Sequence, residues 1–217
     1  MSAVRTHASS SLTGRLLPPE AVAADQRRRI LAAVPEAVAA HGFDRTFVRH
    51  IVEQARISRP TFYKLFDDRF AAFRAAYEHA FECLLARLER ACEAQRRWPQ
   101  KVSAAVSAVL EFSAAEPAAA RLIAVGPLAT RATTAALRNR SLERLIPPLR
   151  AGRKKYPEAA SLPSHTEQAL LGGICSVIAE RLHAGEQDSL PTLAPQLTQL
   201  ALTPYLGAAE ARRIACA

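Results

Sequence analysis

Long uncharged apolar runs are missing from this chain: charge interrupts each apolar stretch before about 18 residues, so no membrane-spanning helix is expected. Acidic residues are in short supply, 20 against 29 Lys and Arg, leaving a net charge of +9 and a pI near 10.0. Only 8 Gly and 6% aromatics occur, and few segments alternate β-branched with polar residues, so no sheet is proposed. The four cysteines, Cys83, Cys92, Cys175 and Cys216, form no CxxC pair and have no His at metal-ligand spacing. With no secretory signal in view, they read as reduced thiols of a cytoplasmic protein, with Cys83 and Cys175 as small core residues. Neither a metal nor a cofactor is expected. The six His are scattered, and there is no HExxH, no Gly-rich phosphate loop and no Ser in a strand-turn-helix elbow, so catalysis is not expected.

What the chain has is apolar mass and Arg. Hydrophobic residues make up 49% of the 217, enough for a real core, and the Ala-rich stretches favour helix. The length suits one large fold or a small domain followed by a larger one. A cationic surface attracts nucleic acid, anionic membrane and acidic proteins alike, and Arg adds a planar fork suited to phosphate and guanine. Charge alone does not choose between these partners, nor between any of them and simple solubility.

Residues 1 to about 17 are Ser/Thr-rich and lack periodicity, which predicts a flexible arm whose Arg5 and Arg15 either reach a DNA groove or stay solvated. Pro18, Pro19 and Glu20 then start a helix. Ile30, Val34 and Val38 make its apolar stripe, Gly42 ends it, and Pro35 predicts a bend or break near Leu31 to Pro35. A short helix follows over 47–55, a third over 58–65, and a long fourth from Phe70 to about Arg97 with Asp67 or Asp68 as its cap. Pro99 to Ala115 is the next helix, and a short one opens at Glu116-Pro117 and stops at Gly126-Pro127. Ala129 to Arg150 is helical, with a break possible at Pro147-Pro148, and Arg153 to Pro163 reads as a polar loop. Ser164 and Glu167 form a capping-box pattern for a helix to His183. A last helix starts at Ser189-Leu190-Pro191 and ends near Leu202, with Pro204 and Gly207 marking a tail.

The most informative segment runs from Gly42 to Phe73. Two short helices flank a tight connection at Arg56-Ile57, the geometry of a helix-turn-helix. Ser58 is placed to cap the second of the pair. Phe62 and Phe66, four apart, share one face with Ile57 in reach. Arg59, Pro60, Tyr63 and Lys64 are left on the other side, a cationic and aromatic face of a width that fits a major groove.

That segment resembles the TetR family of regulators. The family pattern has a Gly-aromatic end to its first helix, an Ile in its second, and Ser-basic-x-Thr-aromatic-Tyr-x-x-Phe in its third. Here those places hold Gly42-Phe43, Ile51, Ser58-Arg59, Thr61-Phe62-Tyr63 and Phe66, and Arg69 stands where a Lys usually opens the fourth helix. The close match covers about Arg27 to Tyr77. The resemblance implies an all-α fold of about nine helices: an arm over 1–19, a three-helix DNA-binding domain over 20–70, and a ligand-binding and dimerisation domain over 71–217. It implies contacts to double-stranded DNA from Thr46, Arg49, Ser58, Arg59, Pro60, Thr61, Tyr63, Lys64 and Arg69, and a palindromic operator read by a homodimer. A repressor released by an unidentified small molecule is the family's habit.

Three positions depart from the pattern. Phe47 stands where Ser or Thr usually caps the second helix, so Thr46 or Asp44 would have to substitute. Arg56 replaces a turn Gly and must accept or avoid a positive φ. His50 and Val52 are also less usual.

Behind this segment the resemblance implies a dimer seam through Leu170, Gly173, Val177, Leu193, Leu197 and Leu200, with Leu171, Gly172, Ile178 and Ala201 beside them. The alternative is that the same residues face the chain's own core. Phe112, Leu122, Ile123, Leu137 and Ile174 are candidate ligand-lining residues on the same basis, and core packing explains them as well. The basic run Arg138, Arg140, Arg144, Arg150, Arg153, Lys154 and Lys155 reads as a solvated face. The rival to regulation is a basic helical module that binds membrane, protein or DNA without sequence preference.

Overall fold

The computed structural model describes residues 18–124 and 132–216. The expected arm with Arg5 and Arg15, the stop at Gly126-Pro127 and the helix start at Ala129 lie outside the described residues, as does the side chain of Arg138. Among the described residues there is helix and no strand. The elements are α1 (Pro19–His41), α2 (Val48–Ala55), α3 (Arg59–Leu65), α4 (Arg69–Glu93), α5 (Trp98–Ala115), α6 (Pro117–Ala124), α7 (Ala132–Arg150), a four-residue α8 (Gly152–Lys155), α9 (Thr166–His183) and α10 (Ala194–Ala215). Short 3-10 turns at Pro157–Ser161 and Gln187–Leu193 precede the last two. The expected all-α fold of about nine helices is what the chain adopts.

Helices α1, α2 and α3 pack together at one end, with α4 running from them into the rest of the molecule against α5. α10 lies along α5, α7 along α9, and α6 touches α1, α4 and α9. One apolar cluster continues through both ends, from Ile30, Val34 and Ile51 to Leu110, Phe112, Leu182 and Leu202.

Interior prolines fail to break two of the helices. α1 runs unbroken through Pro35, which is itself buried beside Ile30, Ala33, Val34 and Ala37. Packing on both sides offsets the single lost hydrogen bond, so the expected break is not there. α7 likewise carries Pro147 and Pro148 within its last turn.

The expected loop after α7 is instead ordered around a buried ion pair. Glu167 is 0% exposed; its Oε1 accepts from Arg153 Nε at 2.6 Å and from the Tyr205 hydroxyl at 3.0 Å, and its Oε2 accepts from Arg153 Nη2 at 3.0 Å. Arg153 also donates to the carbonyls of Leu162 and Pro163. Glu167 therefore has no part in a capping box, and Ser164 caps nothing: the residue before α9 is His165, with no side-chain cap. Burial pushes the Glu167 carboxyl up, but hydrogen bonds from Arg153, its own backbone and Tyr205 outweigh that and hold it at about 2. Burial and Glu167 in turn push the Tyr205 hydroxyl well above its usual range. Arg153 thus leaves the basic run that read as a solvated face, while Arg144 pairs with Glu82 and stays exposed.

The expected tail is also structured. α10 continues to Ala215, turning at Gly207 with φ 76°, a left-handed value that glycine adopts without a β-carbon clash. Beyond Gly207, Ala211 is buried in the same core, which holds this last segment down.

Candidate nucleic-acid interface

α3 is fixed from both ends. The Ser58 Oγ accepts from the Thr61 amide at 3.2 Å, so the expected cap forms, and the Thr61 hydroxyl lies 2.8 Å from the same oxygen. Phe62 is 0% exposed and Phe66 is buried with it, their rings 5.8 Å apart. The anchors leave Arg59, Pro60, Tyr63 and Lys64 exposed, with Tyr63 at 56%. Thr61 is half-buried. None of Arg59, Lys64 or Arg49 forms an ion pair with a carboxylate among the described residues. A phosphate or a guanine edge can therefore meet these cations without first displacing a carboxylate.

The turn between α2 and α3 tolerates its missing glycine by accepting strain. Arg56 has φ 53° and ψ 50°, the left-handed conformation, which costs a non-glycine residue about 1–2 kcal/mol. Its N–H donates to the Glu53 carbonyl at 3.1 Å, and the Ile57 N–H donates to that of Val52 at 3.0 Å, the paired bonds of a Schellman ending. Arg29 Nη2 reaches from α1 to donate to the Arg56 carbonyl at 2.6 Å. The Arg27 guanidinium lies 4.7 Å from the Phe66 centroid, so α1 holds both halves of the pair.

Thr46 is not a DNA contact. It is wholly buried, and its hydroxyl turns back onto α1, 2.6 Å from the Gly42 carbonyl and 3.2 Å from that of Ala37. For the same reason it does not cap α2. Phe47 is the residue before α2, just outside the expected start, and His50 supplies the cap: the Phe47 N–H donates to His50 Nδ1 at 3.3 Å. His50 Nε2 lies 3.1 Å from Arg49 Nε, an acceptor position open only in the other tautomer, and the ring stacks on His41 with centroids 4.0 Å apart. A neutral ring accepts at only one nitrogen at a time, and an imidazolium at neither. Burial, then His41 and Arg49, push the His50 pKa below its usual value, with Glu53 pulling the other way.

Asp68 caps α4, its Oδ1 accepting from the Ala71 amide at 2.7 Å, as one of the two expected Asp residues. Arg69 sits at the first position of α4, but part of its fork is committed. Nη1 donates to the Thr46 carbonyl at 2.7 Å and to that of Asp44 at 3.2 Å, tying α4 to the α1–α2 connection. The structure thus brings Arg49 and Arg69 together at the start of α2, and Arg59, Pro60, Tyr63 and Lys64 on the outer side of α3. Sequence marks His50 only as a departure from the pattern and assigns no role to Arg29. The spacing of His50, three residues after the cap position, was the available signal; nothing local points from Arg29 to Arg56.

In the larger part of the chain, Phe112, Leu122 and Ile174 are buried in the common core, with Ile123 and Leu137 half-buried against it. Leu197 is buried in that core as well, as are Ile178 and Ala201, so the chain's own packing accounts for them without a seam. Leu200, by contrast, is 45% exposed. Leu170, Leu171, Val177 and Leu193 are half-buried, and a β-carbon on Gly172 or Gly173 would meet nothing within 4 Å. Among the described residues no three His, Cys, Asp or Glu group to hold a metal, and no helix is long and apolar enough to cross a membrane.

Residues 30–76, which span the last part of α1 through the start of α4, match the family model described as bacterial regulatory proteins, tetR family. No curated protein matches this chain. Among solved structures, the fatty acid degradation regulator FadR from Bacillus halodurans is 17% identical with a TM-score of 0.73, covering 82% of this chain and 94% of that one. FadR from Bacillus subtilis, in complex with stearoyl-CoA, is 14% identical with a TM-score of 0.70, covering 83% and 98%. A TetR family regulator from Marinobacter aquaeolei VT8 is 14% identical with a TM-score of 0.69, covering 85% and 97%. At these identities the solved structures establish a shared fold along almost the whole of each relative. Its N-terminal segment thus matches the model of the tetR family of bacterial regulatory proteins, and the chain shares the fold of solved TetR family regulators.

Proposed function

We propose that this chain is a sequence-specific transcriptional regulator, a repressor that leaves a palindromic operator when a small molecule binds. The observation that carries the reading is the orientation of α3: its phenylalanines are inside while Arg59, Pro60, Tyr63 and Lys64 face solvent behind the Ser58 cap. Arg59 and Lys64 then read base edges or phosphates, Pro60 and Thr61 meet thymine methyls and backbone, and Tyr63 binds a phosphate through its hydroxyl. Ser58 acts through the cap, and Arg49 and Arg69 grip the backbone beside it. Residues 20–70 form the reading head, 71–217 the sensing and pairing domain, and catalysis has no role.

One reading head holds DNA weakly, so two are needed, one helical turn or a multiple apart. The α9 and α10 surface suits this pairing: Leu170, Val177, Leu193 and Leu200 are at least partly exposed, and Gly172 and Gly173 leave room for a second backbone. The ligand domain's candidates, Phe112, Leu122, Ile123, Leu137 and Ile174, are apolar, which favours a ligand with an apolar body. Stearoyl-CoA, held by the Bacillus subtilis relative, is a reasonable first probe. α6 touches α1 of the head and α9 of the other domain, so a ligand that moves α6 changes the spacing of the two heads.

The test is selection of bound duplexes from a random pool, followed by titration at several salt concentrations. The expected result is one enriched palindrome, bound about a thousandfold or more above bulk DNA and released by ligand. A basic module without sequence preference would enrich nothing and would lose its hold as salt rises. A ligand-loaded protein that keeps its operator at full strength would contradict release.

A further inference from the structure

Phe47 departs from the family pattern in chemical kind and is also conspicuous on the surface of the reading head. It is 45% exposed, although nothing apolar is required at a helix cap. The guanidinium carbon of Arg49, from α2, lies 4.8 Å from its ring centroid, and that of Arg69, from α4, lies 5.5 Å away. The His50 ring meets it edge-on at 5.8 Å. Two cations from different helices are thus gathered at one exposed ring, where they repel each other. Among the described residues no carboxylate pairs with either. Arg69 is further steadied by its Nη1 bonds to the Thr46 and Asp44 carbonyls and by the Phe70 ring at 4.6 Å from its guanidinium carbon.

We propose that Phe47 is the positioning residue of a phosphodiester clamp made by Arg49 and Arg69 at the start of α2. The proposal rests on the reading of this face as a DNA interface. An aromatic face holds a guanidinium through its negative quadrupole while leaving the in-plane N–H donors pointing outwards. The donors left over once Arg69 Nη1 meets the Thr46 and Asp44 carbonyls and Arg49 Nε meets His50 are pre-oriented and face no carboxylate, so they match the non-bridging oxygens of a backbone phosphate and lose little side-chain freedom on binding. The grip carries no sequence information, so it adds hold and register to the base reading of α3.

The test compares wild type, Phe47→Leu, Phe47→Trp, Arg49→Gln and the double variant Phe47→Leu/Arg49→Gln. Each is titrated on the selected duplex and on a scrambled one, from low to high salt, with thermal unfolding alongside. Phe47→Leu should weaken both duplexes by a similar several-fold factor. It should also lower the slope of log K against log salt by about 0.9 for each phosphate that the protein no longer neutralises. Phe47→Trp should keep affinity and slope, and Phe47→Leu should cost little more once Arg49 is already gone. The proposal is overturned if Phe47→Leu keeps wild-type affinity and slope, if Phe47→Trp falls as far as Phe47→Leu, or if the weakening is confined to one base step. Failure of wild type to bind any selected duplex would instead remove the DNA reading itself, and the clamp with it.

Discussion

The six-membered edge of Trp98 occupies the space where a β-carbon on residue 152 would have to stand. An ideal β-carbon there would lie 2.5 Å from Trp98 Cζ2 and 2.6 Å from Cη2, distances that real β-carbons essentially never show. The ring has nowhere to retreat. Its Nε1 donates to the Pro148 carbonyl at 3.0 Å, and Tyr205 and Tyr156 pack on it with centroids 4.8 and 5.7 Å away. Gly152→Ala should therefore destabilise the chain by about 1–3 kcal/mol, as overpacked cores do. Chemical denaturation measures this; an unchanged midpoint would mean that the ring yields.

The Glu167 carboxylate, next to the same Tyr205, sets an acid limit. Its folded pKa of about 2 lies below the ordinary 4.5, so the folded state releases its proton more readily than the unfolded one. The resulting stability is fully present above about 4.5 and is lost as pH falls towards about 2. Glu167→Gln should flatten the acid side of the stability profile across that window. At neutral pH it should cost towards the lower end of about 3–5 kcal/mol, because Arg153, 16% exposed, keeps some solvent when unpaired. Denaturant titrations of both proteins over the acid range would check this, and parallel profiles would contradict it.

His50 has the opposite chemistry and the same sign. Its pKa is lowered on folding, so protonation favours the unfolded chain, and the α2 cap contributes fully above about 6.5 and weakens as pH falls below it. Glutamine at the same position keeps an acceptor for the Phe47 N–H and does not titrate. The stability difference between wild type and His50→Gln should therefore change between neutral and mildly acidic pH. A constant difference would show that the imidazole bond to Phe47 does not matter.

Arg59 and Tyr63 share the outer side of α3 but should fail differently. Arg59→Ala should relax preference at one base step by about 1–3 kcal/mol, as removal of a base-edge hydrogen bond does. Tyr63→Ala should weaken all sequences alike, as removal of a phosphate ligand does. Affinities across single-base variants of the selected duplex separate the two patterns. If both proteins bind as wild type does, α3 is not the reader.

The reading head was legible because its determinants are close together in sequence. Ser58, Phe62 and Phe66 lie within nine residues, and helical periodicity alone sends the phenylalanines one way and Arg59, Tyr63 and Lys64 the other. Sequence misleads where distant residues decide. Thr46 has the chemistry of a polar interface residue, yet α1 lies within reach of its hydroxyl and takes it; Leu197 has the chemistry of a seam residue, yet the core of its own chain covers it.

From the order of residues alone came the helical class, the capped α3 with its outward cations, and the family that those positions resemble. Each follows from periods of three or four residues and from caps that act within one turn. Tertiary structure alone decided that α1 passes through Pro35, that Glu167 leaves a capping position to meet Arg153 and Tyr205, and that Arg49 and Arg69 converge on Phe47. Those outcomes weigh a local preference of one or a few kcal/mol against burial and pairing with partners up to 38 residues away, and the distant partner prevails.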